Sequence, residues 1–189
     1  MARRLLIILP ILILAGAAVL YILGRGRIEE RPRLVPMSSG LIEDPRLESV
    51  QLFFGDPAGF RLVSEERIVV SGRDMTERLR ICIRELASGP LAMGVPVIPS
   101  QTRLNEAFVD PWGLAYLDFN RALLGHRRPV GGEEWLAVAS LVHTVTANFP
   151  AIRRIRFMIE GEVITSLAGY IDLEEPVGAE EFPPGAALR

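Results

Sequence analysis

The sequence lacks lysine entirely and contains one cysteine, Cys82. All 21 basic residues are therefore arginine, and 23 acidic residues outweigh them to give a formal net charge of -2. A nucleic-acid-binding domain ordinarily carries an excess of basic charge, so we expect no nucleic-acid partner. One cysteine cannot close an intramolecular disulfide or supply a cysteine-rich zinc site, which excludes disulfide scaffolds and zinc modules of that kind.

Motifs for nucleotide, metal and hydrolase chemistry are missing too. Gly131-Gly132 precedes a predicted helix but lacks the Lys-Ser/Thr ending of a phosphate-binding loop. The two histidines, His126 and His143, show no metal-ligand spacing. Ser140 lies close to His143 on a predicted helix but lacks the sharp strand-to-helix turn of a hydrolase nucleophile, so we expect both to serve packing. We therefore predict a protein that is not an enzyme, with no catalytic, cofactor-binding or metal-binding residues.

Adjacent acidic residues occur at Glu65-Glu66, Glu133-Glu134 and Glu174-Glu175. General acid-base catalysis needs two carboxylates that converge on one cleft, and neighbours in sequence do not indicate that arrangement. We interpret all three pairs as solvated charge on a turn, a helix start and a tail. The basic cluster His126-Arg127-Arg128 is interpreted as a solvated loop, with contact to an anion as the alternative.

An apolar run near the N-terminus begins at Leu5, ends at Leu23 and contains no charge. As a helix it would extend about 28 Å, which is close to the hydrocarbon thickness of a bilayer. We predict a transmembrane anchor over 5-23. The small residues Ala15-Gly16-Ala17 offer a cleavage site, but the run continues beyond them, which favours an uncleaved anchor. Ala17 stands where a lipid-modified protein needs cysteine, so we expect no lipid anchor there.

Two segments rich in proline, glycine and charge flank a central block. Residues 24-47 contain three prolines, each of which discourages helix at the preceding residue, and predict a flexible tether. Residues 174-189 contain Pro183-Pro184-Gly185 and four glutamates with little to bury, and predict a disordered acidic tail. The block between them, residues 48-173, is long enough for one modest core.

Strand periodicity dominates the start and middle of this block. Apolar residues at every second position over 50–54 predict a strand. Residues 60–63 and 67–70 predict two further short strands, separated by Ser64-Glu65-Glu66. Asp110-Pro111-Trp112-Gly113 has the residue preferences of a type I turn and therefore predicts a hairpin.

Two other stretches have helical periodicity. Asp74 and Glu77 have the spacing of an N-terminal capping box, and the apolar stripe of the helix that follows includes Cys82, which predicts a small buried hydrophobe and no reactive thiol. Residues 133–148 predict a second helix, and alternation over 155–159 predicts a late strand. Strands interleaved with two amphipathic helices predict one small α+β domain, a mixed or antiparallel sheet covered by two helices, preceded by the transmembrane helix.

Seven short segments of this block resemble, in the same order, the GerMN domain of bacterial envelope proteins, a domain of sporulation and spore germination. They are residues 50–54, 86–90, 98–99, 116–119, 141–146, 159–161 and 169–172. The resemblance implies a GerMN-like domain over 48-173 and a setting in the cell envelope, and it implies no activity. The chain departs from the family in having Ala17 where a lipidated cysteine could stand, one copy of the domain, and His143 where asparagine is common.

Together these observations predict a membrane-anchored, non-catalytic interaction module related to sporulation or germination by family resemblance. We expect it to bind an envelope protein or peptidoglycan through its sheet face or an edge strand. The predicted location is the bacterial cytoplasmic membrane, single-pass, with the domain on the extracytoplasmic side, although arginines on both sides of the run leave orientation open from charge alone. The alternatives are an envelope hydrolase or cell-wall-modifying enzyme that uses His143, and a small-ligand binder with His126, Arg127 and Arg128 near its mouth.

Overall fold

The computed structural model describes residues 46–58, 61–125 and 131–183. Its β-strands and α-helices in chain order are β1 (Leu47–Gly55), β2 (Leu62–Val70), α1 (Met75–Ala87), β3 (Leu104–Val109), β4 (Leu114–Phe119), α2 (Gly131–Asn148), β5 (Arg154–Ile159), β6 (Glu162–Val163) and β7 (Val177–Gly178). Two short 3-10 helices lie at Arg121–Leu124 and Ala179–Glu181. The predicted anchor over 5-23 and nearly all of the predicted tether lie outside the described residues. Within the described ranges, no helix is long and apolar enough to cross a membrane.

The strands form two sheets. β1 and β2 make an antiparallel two-stranded sheet, and the second sheet has the order β3-β4-β5-β6, with β7 also paired to β5. β4 and β5 are parallel, and the other pairs are antiparallel. The predicted α+β class and its two helices are confirmed, whereas the single sheet is wrong, because the outer edge of β1 meets helix α2 and no strand of the second sheet.

The core lies between the helices and one face of each sheet. On β4 and β5 every second residue is buried against the helices, as alternation in the sequence requires. The rings of Phe119 and Phe157 stack there with centroids 6.0 Å apart. Opposite side chains of the same strands, among them Tyr116, face away from this core and are only partly covered.

Helix α1 begins as the sequence predicts. The Asp74 side chain accepts a hydrogen bond from the Glu77 N–H at 2.8 Å, and the Glu77 carboxylate accepts one from the Arg73 N–H at 2.8 Å. Cys82 lies on the buried side of this helix, where burial raises the pKa of its thiol to about 12. The predicted burial of Cys82 is therefore confirmed.

The β3–β4 hairpin also follows the prediction. The Gly113 N–H donates to the Asp110 carbonyl at 3.2 Å, and the Asp110 carboxylate accepts from the N–H groups of Trp112 and Leu114. Gly113 has a φ of 90°, and a Cβ at this position would lie 2.7 Å from the Ala151 carbonyl oxygen. Glycine is thus required here by backbone conformation and by close approach together.

Two predicted boundaries are wrong. Residues 62–70 form one continuous strand and not two pieces, because Glu65 and Arg67 both find polar partners on its inner face, Glu65 at the Leu91 N–H and Arg67 at the Gly89 carbonyl. In the predicted tail, residues 174–183 are ordered: β7 pairs with β5, and Val177 and Phe182 are each only 4% exposed. The remainder of the tail, 184–189, lies outside the described residues.

Candidate functional site

The outer edge of β1 is closed by side chains of helix α2. Ser140, Thr144 and Asn148 lie one helical turn apart, so they form a polar row along one face. The Phe53 N–H donates to Thr144 Oγ1 at 3.1 Å, and the Phe53 carbonyl accepts from Ser140 Oγ at 2.5 Å. Asn148 accepts from the Gln51 N–H at 2.9 Å and donates to the Gln51 carbonyl at 2.7 Å. The helix therefore takes the place of a neighbouring strand.

The end of the same edge is closed by backbone. The Gly55 N–H donates to the Val95 carbonyl at 3.1 Å, and the Val95 N–H donates to the Gly55 carbonyl at 2.8 Å. A Cβ on Gly55 would lie 2.8 Å from a Val95 methyl carbon, so the close approach depends on glycine. From Gln51 to Gly55, β1 has no room for another strand on this side.

Ser140 and His143, the residues of the hydrolase alternative, make separate contacts with the backbone. Ser140 is fully buried and its hydroxyl donates to the Phe53 carbonyl. His143 contacts the Phe182 carbonyl through Nε2 at 2.5 Å, and its ring packs on Phe53 with centroids 5.3 Å apart. The structure thus brings both side chains to backbone carbonyls, as the packing interpretation expects. His126, Arg127 and Arg128 lie outside the described residues.

The interpretation of Glu133-Glu134 as solvated charge is wrong for Glu134, which is buried. Its side chain is 1% exposed and accepts hydrogen bonds from the N–H groups of Leu167, Ala168 and Tyr170 at 2.7 to 2.9 Å. These bonds fix the loop after β6 to the first turn of α2. A buried carboxylate with three amide donors is fully satisfied, which accounts for its burial without a catalytic role.

Glu65 and Arg67 form a second buried polar cluster, beneath β2. Arg67 is 7% exposed and reaches the C-terminal end of α1, where it donates to the carbonyls of Glu85 at 2.9 Å and Gly89 at 2.5 Å. Its Nε donates to Glu65 Oε1 at 2.7 Å. A guanidinium at a helix C-terminus satisfies carbonyls that have no partner within the helix. Arg67 thereby joins β2 to α1.

The Glu65 carboxylate is held by several donors. Partial burial alone would raise the pKa of this carboxyl, but hydrogen bonds from the Ala92 N–H, from Arg67 and from the Leu91 N–H together hold its pKa below the ordinary value of 4.5. Glu65 is therefore a structural anion that fixes the loop after α1. No group of three or more histidine, cysteine, aspartate or glutamate residues in the described ranges has the geometry of a metal site.

The edge of the second sheet at β3 is closed at one end. Arg80 on α1 donates to the Asn105 carbonyl and, at 3.4 Å, to the Leu104 carbonyl. It also forms an ion pair with Glu106 at 3.1 Å. A basic side chain placed across the backbone of an edge strand limits the pairing of another strand there.

The outer edge of β2, by contrast, is open. The Ser71 N–H donates to the Arg46 carbonyl at 2.7 Å, and the β1–β2 register is continuous. Since hydrogen-bonded pairs alternate in an antiparallel ladder, the odd-numbered residues of β2 bond to β1, and the backbone N–H and C=O groups of the even-numbered residues point away from it. Among the described residues, the N–H and C=O groups of Ser64, Glu66, Ile68 and Val70 have no hydrogen-bond partner. We call these four residues the β2 edge.

Side chains of the β2 edge are exposed and partly apolar. Ile68 and Val70 are 65% and 53% exposed, and Leu47, which pairs with Val70 across the hairpin, is 67% exposed. β2 has nine residues, contains no proline and shows no bulge in its pairing with β1. A long, regular edge with exposed β-branched side chains is a site for the addition of another strand. The sequence could not indicate it, because Glu65 and Glu66 suggested a turn.

Comparison with known proteins gives a family and a fold. A family model named Germane, described as sporulation and spore germination, matches residues 51–165. The tandem GerMN domains of the sporulation protein GerM from Bacillus subtilis match with a TM-score of 0.58 and 17% identity, over 72% of this chain and 48% of that chain. The first GerMN domain of GerM alone matches with a TM-score of 0.54 and 17% identity, over 70% of this chain and 95% of that chain. No curated protein matches the chain.

These structures show the fold that this chain shares with GerMN domains. The chain spans about half of the tandem structure. The resemblance predicted from seven short segments is therefore confirmed at the level of family and fold.

Proposed function

Because the chain belongs to the Germane family of sporulation and spore germination proteins, we propose that it is a non-catalytic interaction module of the bacterial envelope, anchored in the membrane. In this proposal the domain binds an envelope protein by strand addition to the β2 edge. The open backbone of Ser64, Glu66, Ile68 and Val70 carries the proposal, because the edges of β1 and β3 are wholly or partly covered.

The location rests on the N-terminal sequence. The uncharged run from Leu5 to Leu23 has the length of a membrane span. Residues 24–45 would then join the anchor to the first described residue, and a flexible chain of that length has an end-to-end distance of about 25 Å. The domain would therefore stay close to the membrane surface, and we place it on the extracytoplasmic side of the cytoplasmic membrane.

The absence of catalysis is supported by how the polar side chains are used. Ser140, His143 and Glu134, the side chains with which an enzyme would be built, each contact backbone groups of the protein's own chain. A catalytic group needs a substrate within hydrogen-bond reach. In these three contacts the polar atoms of the side chains already bond to backbone groups of the protein.

Site-specific photocrosslinking in intact cells tests the interaction. A photoreactive residue at Ile68, on the β2 edge, should yield a reproducible adduct with an envelope protein. The same residue at Val163, which is similarly exposed but lies on β6, is the matched control and should yield none. Equal adducts at both positions, or none at Ile68, would contradict strand addition.

Reporter fusions test the location independently. Two C-terminal fusions to the full chain are needed, one active outside the cytoplasm and one active inside. Activity of the outside reporter alone, in the membrane fraction, is the expected result. Activity of the inside reporter alone, or a freely dissolved product after cell breakage, would overturn the placement.

A further inference from the structure

We propose that the strand that adds to the β2 edge is the β2 strand of a second copy of this chain, antiparallel about a twofold axis at Ile68. This inference rests on the proposed strand addition and names its partner. The backbone groups of Glu66, Ile68 and Val70 would each exchange hydrogen bonds with the second copy. The result would be a four-stranded sheet of the order β1-β2-β2-β1 across two copies.

Charge disfavours two other twofold registers, those with the axis at Glu66 or at Arg67. An axis at Glu66 places Glu66 opposite its own copy, and like charges directly opposite are destabilising. An axis at Arg67 brings the two Glu66 side chains into a diagonal pair about 7 to 8 Å apart. An axis at Ile68 places Glu66 opposite Val70 of the second copy, and the two carboxylates are then separated by four residues, about 13 Å along the strand.

Apolar contact favours the same register. With the axis at Ile68, the two Ile68 side chains lie directly opposite each other on the exposed face. Val70 of each copy is the diagonal neighbour of Ile68 of the other, and Leu47 flanks Val70 within each hairpin. Cross-strand pairs of β-branched residues are among those that stabilise antiparallel sheets.

The membrane tether is compatible with this arrangement. The chain enters the domain at Arg46, beside the end of β2. Arg46 lies opposite Ser71, three residues from the axis, so in the register centred on Ile68 the two entry points are offset by about 20 Å along the strands and about 14 Å across them, from ordinary sheet spacings. Two tethers of about 25 Å each can therefore reach one membrane surface. Confinement to that surface raises the effective concentration of the second copy.

Disulfide trapping in the full chain, in its native membranes, tests the pairing and its register. Directly opposed Ile68 residues would have Cα atoms about 5.5 Å apart, within the range that a disulfide spans. After mild oxidation, Ile68→Cys should therefore form a disulfide dimer. The native Cys82 does not interfere, because it is buried and its thiol has a raised pKa.

Two controls determine the register in which the two β2 strands pair. Glu66→Cys alone should give about tenfold less dimer than Ile68→Cys, because its copies are too far apart for a disulfide. A mixture of Glu66→Cys chains with Val70→Cys chains should form the mixed dimer, since those residues lie opposite each other. Equal dimer from Ile68→Cys and Glu66→Cys would overturn the register, and no dimer from Ile68→Cys or the mixture would overturn self-pairing.

The outcome separates this inference from the proposed function. If Ile68→Cys forms no dimer while a photoreactive residue at Ile68 labels a different envelope protein, self-pairing is wrong and strand addition stands. If neither reagent yields an adduct, both fail. A disulfide dimer accompanied by photocrosslinks to the chain itself supports both.

Discussion

Thr144 Oγ1 accepts a hydrogen bond from the Phe53 N–H at 3.1 Å, so a helix side chain occupies the place where the carbonyl of an adjacent strand would lie. Together with Ser140 and Asn148 it gives β1 an ordered neighbour without a strand. Among the described residues, β2 has no such neighbour on its outer edge. This asymmetry between the two edges of one hairpin is why we propose that a partner adds to β2.

Replacing Thr144 tests the contribution of that contact. Thr144→Val keeps the shape of the side chain but leaves the Phe53 N–H without an acceptor. We expect a loss of about 1 to 3 kcal/mol in the free energy of unfolding, the cost of an unsatisfied buried donor. Urea denaturation of both proteins measures it. The control, Thr146→Val, removes a hydroxyl that bonds only within α2, to the Val142 carbonyl, and should cost less.

Arg67 is expected to be the most sensitive charged residue of the hairpin. Arg67→Met removes the guanidinium donor of the Gly89 carbonyl, one of the two donors of the Glu85 carbonyl, and the ion-pair partner of the Glu65 carboxylate. Removal of one partner from a buried pair costs about 3 to 5 kcal/mol. Thermal and urea unfolding would show it. Arg84→Met, at an exposed arginine of helix α1, which Arg67 contacts, should change stability by no more than about 0.5 kcal/mol.

Acid should weaken the contact between β2 and the loop after α1. The pKa of Glu65 is lower in the folded protein than its ordinary value of 4.5, so its stabilisation is complete above that value and is lost as the pH falls through the folded pKa. Melting temperatures from pH 7 to pH 3 should therefore fall less steeply in Glu65→Gln than in the wild type. Some acid sensitivity should remain, because the Ala58 N–H and Arg61 also lower the pKa of Asp56.

Glu66→Gln is the matched control for this pH profile. Within the described part of the chain, the Glu66 carboxylate accepts from the Ser49 hydroxyl and from no backbone N–H. We expect it to retain the wild-type dependence. A Glu65→Gln protein whose melting temperature falls with acid as steeply as that of the wild type would show that Glu65 does not anchor the loop.

Gly113 should tolerate a side chain less well than Gly161. Both have positive φ, but only Gly113 has a backbone oxygen where a Cβ would lie, at 2.7 Å, while nothing lies within 4 Å of the Cβ position of Gly161. Gly113→Ala should therefore lower stability by more than the cost of about 1 to 2 kcal/mol that left-handed backbone imposes on Gly161→Ala. Equal losses in denaturation would contradict the steric argument.

Local signals explain what the sequence predicted well. The Asp74 cap, the turn from Asp110 to Gly113 and the burial of Cys82 each depend on residues close in sequence, and their geometry follows from intrinsic backbone preferences. The family was found by the order of short segments, most of which are helix ends, turns and strand cores.

Long-range partners explain what the sequence missed. Glu134 resembles a solvated helix-start acid until the loop at Leu167, more than thirty residues later, donates to it. Glu65 and Glu66 suggested a turn because nothing near them in sequence indicates that the Leu91 N–H, 26 residues later, donates to Glu65. The open edge of β2 could be recognised only after β1 was found to be closed by α2.

Residue-resolved amide hydrogen exchange of the full chain tests the central claim most directly, by comparing its native membranes with purified protein diluted in detergent. The amides of Arg67 and Val69 bond to β1 and should be protected in both states. We predict that the amides of Glu66, Ile68 and Val70 exchange rapidly in the diluted protein and become protected in the membranes, where a strand is added. Equally rapid exchange of these three amides in both states would contradict the account.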